Sequence, residues 1–61
     1  MNATAQLQAL GAEYQTQLAA IRQMTLTEWQ ALAADLGVAR NDREHAAKKL
    51  AIRALKTSGR L

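Results

Sequence analysis

Apolar and polar positions alternate with the period of an α-helix in three separate stretches of the chain. Leu7, Leu10, Tyr14, Leu18, Ile21 and Met24 follow one another at spacings of three and four. At 100° per residue they fall within about 120° of arc, which predicts an amphipathic helix over residues 3–24. Gly11 lies in the same stripe; it costs up to ~1 kcal/mol against alanine in mid-helix, yet it lets a second backbone approach closely. The run Met24-Thr25-Leu26-Thr27-Glu28-Trp29-Gln30 holds two overlapping capping boxes, Thr25 with Glu28 and Thr27 with Gln30. A second helix over 26–36 follows, with Trp29, Leu32, Ala33 and Leu36 inward and Met24 placed to staple onto Trp29. Gly37 supplies the left-handed residue that ends it, and Val38 can fold back onto Ala33. A third helix is expected over 41–56, started by Asn41 or Asp42 and closed by Thr57-Ser58-Gly59.

The third helix separates two faces. Ala46, Ala47, Leu50, Ala51, Ala54 and Leu55 make an apolar arc. His45, Lys49, Arg53, Lys56 and Arg60, spaced four, four, three and four, make a basic stripe about 80° wide on the other side. Proline is absent and no stretch alternates with period two, so the fold class is all-α, a single three-helix domain over 1–61.

Composition adds a question of cover. Of thirty apolar residues fourteen are alanine, leaving sixteen large ones in a chain of 61. Burying each contributes about 1.5–3 kcal/mol, while ordering each residue of the chain costs roughly 1.5 kcal/mol. That balance lies near zero, and the first helix is longer than the short helices after it. Both facts lead to the expectation of a helical homodimer, with Leu7, Leu10, Tyr14, Leu18, Ile21 and Met24 as its seam. No apolar run reaches the ~18 residues of a membrane span, and the first residues lack a basic start and cleavage site. A cytoplasmic protein without membrane contact is expected.

Charge sharpens the functional side. Residues 1–36 carry Glu13, Glu28 and Asp35 against Arg22, net −2. Residues 37–61 carry seven Lys and Arg against Asp42 and Glu44, net +5, which together give the formal +3. An excess of this kind on one half points to an anionic partner.

Residues 29–48, Trp-Gln-Ala-Leu-Ala-Ala-Asp-Leu-Gly-Val-Ala-Arg-Asn-Asp-Arg-Glu-His-Ala-Ala-Lys, resemble a helix-turn-helix over about a third of the chain. Leu32, Ala33 and Leu36 sit at the inward positions of the first helix, Gly37 and Val38 at the turn, and Ala46 on the inner face of the second. The resemblance implies that the second helix enters the major groove of DNA, with Arg40, Asn41, Arg43 and Glu44 near base edges. Arg43 departs from the motif, which has Val or Ile there; an arginine must snorkel, or the helix must rotate.

Catalytic chemistry has little to stand on. There is no cysteine, the glycines at 11, 37 and 59 are far apart, and Ser58 has no base nearby. His45 and Asp42 give two ligands at most, too few for a metal. The expectation is therefore no enzyme, no cofactor and no metal. It is instead a nucleic-acid-binding accessory or transcription-regulatory protein, with Arg40, Asn41, Arg43, Lys49, Arg53, Lys56 and Arg60 as contacts and DNA favoured over RNA. The alternative is a protein–protein interaction module, such as a small subunit, inhibitor or adaptor encoded by a phage or mobile element. Such a module would dock on a larger partner through the apolar stripe.

Overall fold

A computed structural model describes residues 3–61 and consists of three helices: α1, Ala3–Arg22; α2, Leu26–Leu36; and α3, Arg43–Thr57. No strand occurs among the described residues. Met1, counted above with the large apolar residues, lies outside them. The helix ends fall within two residues of those expected, and those of α2 and α3 are set by local devices.

The turn into α2 is closed by Thr25. Its hydroxyl accepts the Glu28 amide at 3.2 Å, and the Glu28 carboxylate accepts the Thr25 amide at 2.8 Å. Of the two possible capping boxes it is therefore the first that forms. It satisfies two of the helix's orphan donors at once. At the other end Gly37 adopts φ 69°, the Gly37 amide donates to Ala34 O at 3.3 Å and the Val38 amide to Ala33 O at 3.0 Å. That pair of bonds is a Schellman closure, and it brings Val38 against the core. α3 begins at Arg43, because Asp42, the second of the two expected starts, is the cap. The Asp42 carboxylate accepts the His45 amide at 3.0 Å. The same closure recurs at the end of α3, through Gly59 (φ 76°) and an Arg60 amide bond to Leu55 O at 2.8 Å.

α3 returns along α1, and this pairing is the main contact of the molecule. The two run antiparallel, since Gln6 near the start of α1 donates to the Arg60 carbonyl just past α3. α2 folds over one end of the pair. Leu18, Ile21, Trp29, Ala33, Leu36, Ala46 and Ala47 form the core there, with Tyr14, Met24, Leu32, Val38 and Leu50 packed around it. Ala51 and Leu55 continue the buried face of α3 towards the far end. The alanines explain the closeness of the helices: Ala33, Ala46, Ala47 and Ala51 are wholly buried. Small side chains at a crossing bring backbones together and let neighbouring large residues fill the space.

This arrangement corrects the expected use of the α1 stripe. Leu18 and Ile21 are buried within the chain itself, and Tyr14 and Met24 pack on the same core. α2 and α3 of the same chain cover them. The packed side of α1 is also turned from the apolar stripe, so that Gln6, Ala9, Glu13 and Gln17 are partly covered while Leu7 stays 69% exposed. What α1 leaves open is Leu7, Gly11 and parts of Leu10 and Tyr14.

Candidate nucleic-acid interface

α3 carries the basic residues, and its inner face fixes where they stand. With Ala46, Ala47, Ala51 and Leu55 buried against α1 and α2, the opposite side must face outward. His45, Lys49, Arg53 and Lys56 are all exposed there. Lys49, Arg53 and Lys56 line one shallow surface groove of about 340 Å³ together with Ile52 and Thr57. Among the described residues no carboxylate pairs with Arg53 or Lys56.

Lys49 is partly spent. Its ammonium donates to the Leu36 carbonyl, the last of α2, at 3.0 Å. The C-terminal carbonyls of a helix carry partial negative charge and lack intrahelical donors, so a lysine there both caps and neutralises. Lys49 thus ties α3 to α2 and reaches an outside anion only by giving up that bond.

Arg60 leaves the stripe. α3 ends at Thr57, and the left-handed Gly59 swings the chain across α1. Arg60 lines a small depression of about 140 Å³ with Ala5, Gln6 and Ala9. The five-membered stripe expected from spacing is therefore four-membered, because helical periodicity cannot be extended past a helix stop.

The turn residues are held by Trp29. Its indole N–H donates to the Arg40 carbonyl at 2.7 Å, and the Arg43 guanidinium lies over its ring, 5.0 Å from the centroid. Arg43 meets the departure noted above by staying exposed, with its guanidinium seated on the indole face as a cation–π contact. Arg40 and Asn41 are exposed in the 37–42 connection. Asp42 is occupied as a cap, and Glu44 is exposed one residue into the helix beyond Arg43. Acids thus interleave the cations at the start of α3, whereas the helix is free of them from His45 onward.

Lys48 is a cation the stripe omitted. One residue from Lys49 it stands 100° around the helix, on the side that meets α1. There it lines a second groove, of about 310 Å³, with Leu7, Leu10, Gly11, Tyr14 and Ile52. Its only signal in the sequence is its phase, one step off the basic stripe towards the apolar arc.

Among the described residues no group of three His, Cys, Asp or Glu side chains is placed to hold a metal ion, and no helix is long and apolar enough to cross a membrane. The fold and face define a small all-α, three-helix chain with one cationic helix surface. Compared with protein-family models, curated proteins and solved structures, the chain matches none.

Proposed function

We propose that the outward face of α3 binds the phosphate backbone of duplex nucleic acid, DNA in the first instance, through Arg53 and Lys56 with Lys49 in support. The observation that carries this is the grouping of these cations on one exposed, acid-free helix face. Such a face follows a phosphate lattice by charge and releases condensed counterions on binding. Arg40, Asn41 and Arg43 flank it at the turn and supply the contacts that the helix-turn-helix resemblance implies. With Arg43 laid on Trp29 and two acids beside it, that end serves orientation more than affinity.

A gel-retardation titration of labelled duplex tests the proposal at two salt concentrations. Arg53→Glu with Lys56→Glu is the variant of choice, because both side chains lie free on the surface. Changing Lys49 would also disturb the end of α2. Wild type is expected to retard duplex at low salt, and the doubly substituted chain to bind at least about tenfold more weakly with unchanged circular dichroism. Absence of retardation by wild type at low salt overturns it. A second reading, docking on a larger protein, is favoured by one observation, the uncovered Leu7 and Ile52.

A further inference from the structure

The groove between the open half of α1 and α3 differs from the basic face beside it. It is lined by Leu7, Leu10, Gly11, Tyr14 and Ile52, with Lys48 the one charged residue among them. Leu7 is 69% exposed and Ile52 38%. Nothing in the chain lies within 4 Å of where a Gly11 Cβ would stand, so no internal contact requires glycine there. From Leu7 to Tyr14 the groove runs two helical turns, about 10 Å. That length suits the i, i+3 or i+4, i+7 anchors of an incoming helix, and a bare glycine lets such a helix approach the α1 backbone closely.

Charge selects among helices. The antiparallel pairing places residues 3–12, which hold no charged side chain, beside residues 45–61, which hold Lys48, Lys49, Arg53, Lys56 and Arg60 and no Asp or Glu. All five acids of the chain fall in residues 13–44. Glu13, the nearest on α1, points to the other side of the helix and is bonded to Gln17 at 2.9 Å. A second copy seated across Gly11 with its α3 alongside this one would set Lys48 of each chain close to its twin. Like charges facing each other across an interface are strongly disfavoured.

We infer that this groove is a docking site for an amphipathic helix of a partner protein, with apolar anchors in the groove and carboxylates flanking them opposite Lys48. The inference does not rest on nucleic-acid binding, which uses the neighbouring side of α3. Two synthetic probes of about 16 residues test it on the full chain. Both carry Leu at i, i+4 and i+7; one is flanked by Glu and the other by Lys. Fluorescence anisotropy gives affinity, and methyl NMR of Leu7, Leu10 and Ile52 gives location. The Glu-flanked probe is expected to bind at least about tenfold more tightly than the Lys-flanked one and to shift those methyls. Gly11→Leu fills the groove at a helix position with open space above it, and Leu7→Glu gives its lining the wrong charge. Each is expected to abolish probe binding while leaving the circular dichroism spectrum and duplex retardation as in wild type. Equal affinity for the two probes, no binding of the Glu-flanked one, or binding that survives Gly11→Leu overturns the inference. So does a wild-type dimer in sedimentation that Gly11→Leu dissociates, which would give the groove to a second copy.

Discussion

The end of the molecule closed by α2 and the end where α1 begins and α3 finishes are built on opposite principles. At the closed end Trp29, Ile21, Leu18 and Leu36 are buried, and the turns are bonded by Thr25, Gly37, Asp42 and the indole of Trp29. The open end has Leu7, Ile52 and Leu61 exposed and cations without carboxylates, whereas at the closed end the exposed large apolar residue is Leu26 alone. The alanines that let α1 and α3 come close also exhaust the residues that could seal the open end. Stability is concentrated at the closed end, and surface suited to partners is left at the other.

The sharpest way to break this contrast is to remove one large side chain from each end. Trp29→Ala deletes the largest buried side chain together with the bond to Arg40 and the seat of Arg43. A loss of about 3–5 kcal/mol is expected, comparable with the whole stability of a domain this size. The helical circular dichroism signal should therefore collapse at 25 °C. Ile52→Ala, at the open end, is expected to lower the unfolding free energy measured in urea by about 1 kcal/mol at most. Equal losses would mean that the open end is as much core as the closed one.

A smaller effect comes from adding volume. Ala47 is wholly buried where α3 crosses its neighbours, and Ala47→Leu forces them apart at a cost of about 1–3 kcal/mol, read as a lowered thermal midpoint. Enlarging Gly11, by contrast, meets nothing within 4 Å.

How far the sequence announces this arrangement varies with the range of the interaction. The three helices, the Thr25 box, the Gly37 closure and the buried arc of α3 follow from spacing and capping chemistry, which act over a few residues. The partner of α1 does not. Its stripe marks an apolar face, but the side packed on α3 is rotated from that stripe, so that Glu13 and Gln17 are partly covered while Leu7 is exposed. An alanine surface reads as weakly apolar in sequence and becomes a tight contact only once another helix lies on it. The basic stripe was legible through Lys56 and lost at Gly59, and the tie between Lys49 and Leu36 depends on a loop geometry that no spacing encodes. Lys48 was hidden by phase alone.

The glycines sharpen the contrast at about 1 kcal/mol. Gly37 stands at φ 69°, so Gly37→Ala is strained by conformation although its surroundings are open, and a loss of about 1 kcal/mol is expected. Gly11 sits inside α1 with ordinary helical backbone, so Gly11→Ala should stabilise by about 0.5–1 kcal/mol. Paired chemical denaturation of the two variants checks the signs. Opposite signs mean that Gly37 serves the fold and that the fold alone gives no reason for Gly11; a loss at both would place Gly11 in the fold as well.

The smallest effect is a dependence on acid. The Thr25 amide, and then its hydroxyl, hold the Glu28 carboxyl below its usual range. A group whose folded value is depressed adds stability that is fully present above its unfolded value and disappears as pH falls through the folded one. Wild type should therefore hold an advantage over Glu28→Gln at neutral pH and lose it on acidification below the ordinary glutamate range, near 4.3. Thermal midpoints of the two chains, measured from neutral pH downward, should converge. The group is fully exposed, so the gap is small, but its direction is diagnostic because it belongs to the capping box alone. A gap that widened with acid would mean that Glu28 is held in its protonated form, and the box that starts α2 would have to be redrawn.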